Sequence, residues 1–431
     1  MFLLYSLLYT IAVIFLLPFE YLKRPKDIRK RWLREKFGFI DPAFSKSSHP
    51  PVIKPGQGGI IWVHAVSVGE VMASLPLLNG MKSCYPGKRI VLSTITDTGR
   101  KVAEERVPEG TEIVYLPFDI PLVLNKVLDV MTPELLIIIE TELWPNLLRI
   151  FKERGIPVAL MNGRISEKSF GGYRKISFFM KKVLSFVDIF CMQAEEYALR
   201  IINLGADSSR VEVSGNFKFD TRPPSTPPDW TQNVGRPAIV AGSTYEGEEQ
   251  LLLSVYEALK KDFSNLNLII APRHPERFRG VEDLLRSNKV SFIKRSESGT
   301  PGFPQKVEGK IILLDTVGEL PAVYSIADIA IIGKSFRGKG GQNPLEPAFW
   351  GKPVICGPHM ENFPVIRDFM EAGAAVMVQE GGLYPQLSFL LRAPERAEEM
   401  GSKARDLYTK NSGAVERALK IIEPYLGGQP G

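Results

Sequence analysis

The hydrophobic positions of this chain fall into two kinds of run, and the first is met at once. MFLLYSLLYTIAVIFLLPF is apolar all round and carries no charged side chain until Glu20. That approaches a bilayer span, at the short end of the usual range. Beyond it one theme repeats: a nearly continuous apolar strand, a loop of small residues, then an amphipathic helix. GIIWVHAVSVGEVMASLPLLNGM, RIVLSTITDTGRKVAEER and PELLIIIETELWPNLLRIFKERGIPVALMNGRIS carry the theme through the first half. FDTRPPSTPPDWTQNVGRP then interrupts it with prolines and polar residues, the signature of a linker. The theme restarts in PAIVAGSTYEGEEQLLLSVYEALKKDF, LNLIIAPRHPERFRGVEDLLRSN and KIILLDTVGELPAVYSIADIAIIG. Strands apolar on both sides, alternating with helices, predict parallel sheets covered on both faces. The expected organisation is an anchor at 1–20, an α/β domain at 21–218, a linker at 219–237 and a second α/β domain at 238–410. In the terminal segment 411–431, the amphipathic AVERALKIIEPYL is expected to pack back on the first domain. Two Rossmann-like, doubly wound domains are thus expected to face a cleft.

Length and composition add limits. A chain of 431 residues suits two domains rather than one, and 44% hydrophobic with 24% charged residues is ordinary for globular protein. The net charge of +6 is concentrated in YLKRPKDIRKRWLREKFG, where Lys23, Arg24, Lys26, Arg29, Lys30, Arg31, Arg34 and Lys36 face only Asp27 and Glu35. Such a cluster fits nucleic acid or an anionic membrane, and its place directly after the apolar run selects the membrane. A cleaved signal peptide carries its charges before the apolar run, so a retained anchor is expected, spanning the bilayer or lying in its interface. The positive-inside rule places everything after it on the cytoplasmic side of the inner membrane. A buried core helix is the alternative. Cys84, Cys191 and Cys356 lack paired spacing, which argues against a disulfide framework or a thiolate metal site.

The candidate chemistry sits at strand ends. GKSFRGKGGQNPLEPAFWGKPVICGP, from Gly333 to Pro358, reads as a glycine-rich loop feeding a helix between two buried strands, an anion and nucleotide site. Gly338, Gly340 and Gly341 would allow close approach to a ligand. Asn343, Pro344 and Glu346 fall at N-cap, first-turn and N3 positions, so Glu346 either completes a capping box or receives the hydroxyls of a ribose. In HAVSVGE, Gly69 would permit a tight turn and Glu70 would open a helix at the carboxyl end of a strand. That is where a general base must sit, although a carboxylate at a helix start is also stabilised by the dipole alone. Ser67 is no nucleophile elbow, since GxSxG is absent. Glu140 and Glu142 end the most apolar strand of the first domain, but with no His nearby and no Asp-x-Asp in the chain, metal binding is not expected. Lys218 stands at the last strand end before the linker. In the second domain Gly242, Ser243 and Thr244, then Arg273 with His274, then Gly318 and Glu319 occupy successive strand ends, and guanidinium is suited to phosphate.

SVGE, ETELWPN, NGRIS, GNFKFD, APRHPERF, the GEL of LLDTVGEL, and GGQNPLEP occur in the order and approximate spacing of the bacterial 3-deoxy-D-manno-octulosonic acid (Kdo) transferases. The chain resembles that family from the apolar run to the terminal EPYL. The resemblance implies a GT-B fold and an inverting, metal-independent transfer of Kdo in lipopolysaccharide assembly. The implied donor is CMP-Kdo, with no further cofactor, and the acceptor is a phosphorylated, acylated glucosamine disaccharide, the lipid A precursor lipid IVA. It implies that Glu70 is the general base and that Glu140 and Lys218 assist the transition state. Pro272, Arg273, Gly318, Glu319, Leu320, Asn343, Pro344, Leu345 and Glu346 are implied to hold CMP, with Ser243, Thr244 and Gly341 as further donor contacts. GKSF and GGQN stand where many members have GGSF and GGHN, departures at Lys334 and Gln342 that would change phosphate contacts slightly and put no role in doubt.

Rival readings are an epimerase or hydrolase acting on nucleotide sugars with the same two-domain fold, and a membrane-tethered nucleotide-sugar binding protein without turnover. The epimerase or hydrolase has no use for an anchor. A Rossmann oxidoreductase would show GxGxxG after its first strand, where HAVSVGE offers a single glycine.

Overall fold

Residues 1–40, 59–220, 226–299 and 304–426 are described by the computed structural model, and they form two compact units. The first comprises Met1–Asp220 with Ser412–Gly431, the second Thr221–Asn411.

The first unit is built on β1 (Ile60–His64), β2 (Arg89–Thr94), β3 (Thr111–Tyr115), β4 (Pro133–Ile139), β5 (Val158–Gly163), β6 (Ile189–Met192) and β7 (Val211–Val213). They lie in the order β3-β2-β1-β4-β5-β6-β7, every pair parallel. All five residues of β1 are buried, because its alternate side chains enter two different cores. Ile60 and Trp62 join the helices Pro121–Met131 and Pro145–Glu153 on one face. Ile61 and Val63 join the helices Val68–Cys84 and Ala414–Ile422 on the other. Burial on both faces explains why these strands read as unbroken apolar runs. The chain leaves β1 toward one face and β4 toward the other, so the loops after these neighbouring strands diverge and open a crevice at their carboxyl ends.

The second unit repeats the plan with β8 (Ala238–Thr244), β9 (Asn267–Pro272), β10 (Phe292–Lys294), β11 (Ile311–Leu313), β12 (Ile329–Ile332), β13 (Val354–Cys356) and β14 (Ala375–Met377). Their order is β10-β11-β9-β8-β12-β13-β14, again all parallel. Here the order reverses between β8 and β12, which puts the glycine-rich loop after β12 at a second switch point.

Two boundaries differ from expectation. The aperiodic stretch 219–237 is anchored at both ends, with residues 221–225 outside the described set. Phe219 and Asp220 belong to a 3-10 turn (Phe217–Asp220) of the first unit. The turn Asp229–Asn233 buries Trp230 in the second core, and Val234 bridges to Val307. Proline-rich composition hid a single aromatic anchor. The terminal helix packs on the first unit: Ala414, Val415, Ala418 and Ile422 lie against Leu77, Leu78 and Met81, and the Asp220 carboxylate accepts the N–H groups of Gly413 and, at 2.6 Å, Val415. Finally, the apolar run forms one helix, Phe2–Lys23, none of whose residues is fully buried, so it is not a core helix.

Candidate active site

Glu70 is fixed in place by its own loop. The helix opens at Val68, two residues earlier than expected, so Gly69 lies in its first turn and makes no tight bend of its own. From that turn Glu70 folds back: Oε2 accepts the Val66 N–H at 2.7 Å and Oε1 accepts the Ser67 hydroxyl at 2.9 Å. The side chain is thus both a helix-start carboxylate and an oriented acid facing the β1–β4 crevice. Burial pushes its pKa up, the two hydrogen bonds pull it back, and the nearby Glu140 charge pushes it up again, with a net rise. Glu142, under the same influences from burial, Glu70 and Glu140, is pushed up to about 7. The Glu140 charge thus acts on both Glu70 and Glu142, and that of Glu70 on Glu142.

The backbone around them departs from ordinary geometry. Glu140 has φ +61°, a left-handed conformation uncommon outside glycine, and Asn162, at the end of β5, has φ +55°, a region asparagine tolerates better than most residues. Asn162 is fully buried; its Oδ1 accepts the Phe217 N–H at 3.0 Å and its carbonyl accepts from Gln193 Nε2 at 2.9 Å. It thereby ties β5 to the turn that carries Lys218. Burial lowers the Lys218 pKa, Glu140 raises it and Arg164 lowers it, for a net fall. Glu140, Glu142, Arg164 and Tyr173 line a pocket of about 350 Å³ in this unit. Asn162 and Arg164 were visible only as part of the NGRIS segment, with no role assigned to either. His64, at the end of β1, is not part of this chemistry: it is fully buried, burial lowers its pKa to about 3, and its Nδ1 lies 2.9 Å from Ser93 Oγ.

The second unit spends its acids differently. Glu248, almost fully buried, accepts the N–H groups of Tyr245 (2.9 Å), Lys334 (2.7 Å), Phe336 (2.9 Å) and Arg337 (3.3 Å). It staples the loop after β12 to the start of the helix after β8. Glu249 accepts from both Nη atoms of Arg277, at 2.8 and 2.9 Å, and takes the Thr244 hydroxyl at 2.7 Å. The Thr244 side chain is 1% exposed, and its hydroxyl proton is committed to the scaffold. Ser243 beside it has φ +56° and is 9% exposed. Sequence reading passed over Glu248 and Glu249, although GEE after a glycine-serine-threonine loop was the available signal.

Glu319 is likewise engaged. Arg295 donates to it from Nε (2.8 Å) and Nη2 (2.7 Å), and the Thr316 hydroxyl adds a third bond at 2.6 Å. Burial alone would raise its pKa, but these donors outweigh it and hold the carboxyl below the usual range. The part of GEL left for a ligand is main chain: Gly318 sits at φ +91°, a conformation glycine adopts without strain, and Leu320 opens the following turn.

Around GGQNPLEP the capping box, one of the two readings of Glu346, is absent. The helix starts at Leu345, not Pro344, and the Asn343 Oδ1 accepts the Leu345 N–H at 3.1 Å. Glu346 does not reach back to the main chain of Asn343; its Oε1 lies 3.5 Å from Asn343 Nδ2. Burial pushes Glu346 up to about 7, partly offset by Asn343 and by the charge of Arg273. Arg273 is exposed at the end of β9, its N–H held by the Thr244 carbonyl at 3.1 Å. Pro272, Pro344 and Leu345 are buried and shape the floor. Gly341, at φ +66°, has no space for a Cβ, which would meet Met360 Sδ at 2.3 Å. One surface thus combines an unshielded guanidinium, glycine-rich main chain and a carboxyl of raised pKa, which matches phosphate and ribose chemistry.

The chain is similar to known proteins. Residues 31–221 match the family model described as 3-Deoxy-D-manno-octulosonic-acid transferase (kdotransferase). A 3-deoxy-D-manno-octulosonic acid transferase of Haemophilus influenzae is 35% identical over 91% of this chain and 91% of its own length. Among solved structures, MurG of Acinetobacter baumannii superposes with a TM-score of 0.54 at 13% identity, covering 85% of this chain and 99% of that one. UDP-GlcNAc 2-epimerase of Neisseria meningitidis, with bound UDP-GlcNAc, gives 0.52 at 14%, covering 85% and 99%. At such low identity these two speak for the fold, which is GT-B, and an epimerase and MurG share it equally. Sequence identity over nearly the full length separates the alternatives, and by it this chain belongs to the 3-deoxy-D-manno-octulosonic acid transferase family, glycosyltransferases of lipopolysaccharide biosynthesis.

Proposed function

We propose that the chain moves Kdo from CMP-Kdo to a hydroxyl of a phosphorylated, acylated glucosamine disaccharide of the lipid IVA type, with Glu70 as general base. The acceptor O–H gives its proton to the Glu70 carboxylate while its oxygen bonds to the anomeric carbon of Kdo. The bond from that carbon to the phosphate oxygen breaks with its electron pair, CMP leaves, and the configuration inverts. The observation that carries this reading is Glu70 itself, oriented by the Val66 N–H and the Ser67 hydroxyl and made more basic by burial.

Lys218 and Glu140 lie near each other in the same unit, where a cation and an anion can offset charge that changes sign during transfer. Arg273 is assigned to the leaving phosphate and Glu346 to the ribose hydroxyls, with Gly318 and the main chain around Asn343 and Gly341 closing on the nucleotide. Positive charge at the leaving group then comes from the chain, and transfer is metal-independent. The test is incubation of the purified protein with CMP-Kdo and tetra-acylated lipid A precursor, with and without EDTA, followed by mass spectrometry of the lipid. Mass gain by Kdo, unchanged by the chelator, is expected. Release of free Kdo without lipid product would favour hydrolysis, and loss of product with EDTA would require a metal.

A further inference from the structure

The helix Phe2–Lys23 has the length and mean hydropathy, 2.2 over 18 residues, of a membrane span. Yet one stripe of it is fastened to the first unit from end to end. Phe2 packs on Phe179 and Phe186, with ring centroids 5.4 and 5.6 Å apart. Tyr5 donates to Asp119 Oδ2 at 2.8 Å, and Ser6 Oγ accepts from Asn146 Nδ2 at 3.0 Å. Tyr9 meets Trp144 edge-on, and Val13, Leu17 and Tyr21 lie against the cluster of Trp32, Tyr115 and Phe118. Contacts spaced by three or four residues from the first turn to the last are the stripe of a helix lying along a surface. To cross a bilayer the helix would have to carry this stripe, its tyrosine hydroxyls and the 1%-exposed Asp119 it bonds into hydrocarbon, or abandon them all.

The opposite face is bare and apolar. Leu4, Leu8, Ile11, Phe15, Phe19 and Leu22 are among its exposed residues, between 42% and 72% accessible. Phe178, 82% exposed, projects beside the Phe179 that holds Phe2. Exposed cations adjoin both segments along the chain: Lys23, Lys26, Lys30, Arg31 and Arg34 follow the helix, and Arg174, Lys175, Lys181 and Lys182 lie within four positions of Phe178. Apolar side chains edged by exposed lysines and arginines complement the hydrocarbon edge and phosphates of an anionic lipid leaflet.

We infer that the N-terminal helix lies in the plane of an anionic bilayer, docked on the first unit, and that Phe178 inserts beside it. The protein is held on one leaflet and does not cross the membrane. Such attachment requires no particular donor or acceptor.

Two measurements on the full chain test this. With an epitope tag placed before Met1 and the protein expressed in a Gram-negative host, protease added to spheroplasts should leave the tag intact, and protease added to inverted vesicles should remove it. Cleavage in spheroplasts would place the helix across the membrane and overturn the proposal. In the second, sedimentation with vesicles of phosphatidylglycerol and phosphatidylethanolamine, Phe178→Asp should weaken binding roughly tenfold, in line with loss of one inserted aromatic ring. Binding should also fall on replacing phosphatidylglycerol with phosphatidylcholine. Circular dichroism should show Phe178→Asp folded, as its 82% exposure requires. A folded variant that binds as tightly as the parent, or a parent that ignores lipid charge, would remove Phe178 and the cations from the surface.

Discussion

Both sheets are seven-stranded and parallel, though their strand orders differ, and most of their strand-end carboxylates, Glu346 apart, are used in different ways. At the carboxyl ends of β1 and β4, Glu70 and Glu142 are pushed up in pKa and sit near Glu140, so acids there are costly to ionise and ready to take a proton. Around β8, β11 and β12, Glu248, Glu249 and Glu319 are spent on the main chain and on arginines, holding loops in shape. In the proposed function one set of strand ends takes a proton, and the other presents N–H groups and a guanidinium to an anion. Fold alone does not distinguish them; what each acid touches does.

The contrast can be broken from either side. Glu248→Ala leaves several main-chain donors without an acceptor, and burying even one such group unsatisfied costs about 1–3 kcal/mol. We expect the largest loss of stability among these variants, seen as an early melting transition of the second unit, together with weak CMP binding. A variant that melts like the parent would mean the loop after β12 is held by other contacts. Arg273→Ala should leave melting unchanged and cost roughly 1.5–3 kcal/mol of CMP affinity by calorimetry, the usual worth of a charge-assisted hydrogen bond. Unchanged affinity would take Arg273 out of the donor site.

The smallest effect is expected at Glu142, and its sign is the informative part. Its folded pKa, about 7, lies above the ordinary value of 4.5, so the native protein binds the proton more tightly than the unfolded chain between these pH values. Stability from this group is full below pH 4.5 and is lost as pH rises through 7. Glu142→Gln should therefore melt like the parent at pH 4.5 and above it at pH 8. A melting point below the parent's at pH 8 would mean that the carboxylate is satisfied by donors rather than stranded among acids.

Much of this was legible because burial on both faces writes a strand as an unbroken apolar run. PELLIII and AIVAGST are such runs, and the residues that follow them had to be strand-end loops. The acid cluster was only half legible, since Glu70 and Glu142 become neighbours through the pairing of β1 with β4, and nothing local to either segment encodes that pairing. The pairing of Glu319 with Arg295 was not legible, because the arginine stands twenty-four positions earlier with no local sign of being its partner. Trp230 was lost in a proline-rich stretch for the same reason: one tertiary contact outweighed composition.

Glu70 carries the account, and one substitution addresses it. Glu70→Gln preserves the size of the side chain and the start of the helix but cannot accept the acceptor's proton, so transfer at saturating CMP-Kdo and lipid acceptor should fall by roughly 10² to 10⁴. CMP affinity, assigned to the second unit, should stay as in the parent. The parent's own rate should decline on acidification through a pKa above the ordinary carboxylate value, the direction in which burial moves Glu70. Turnover of Glu70→Gln within a few-fold of the parent would contradict the account and hand the proton to another group, Glu140 first.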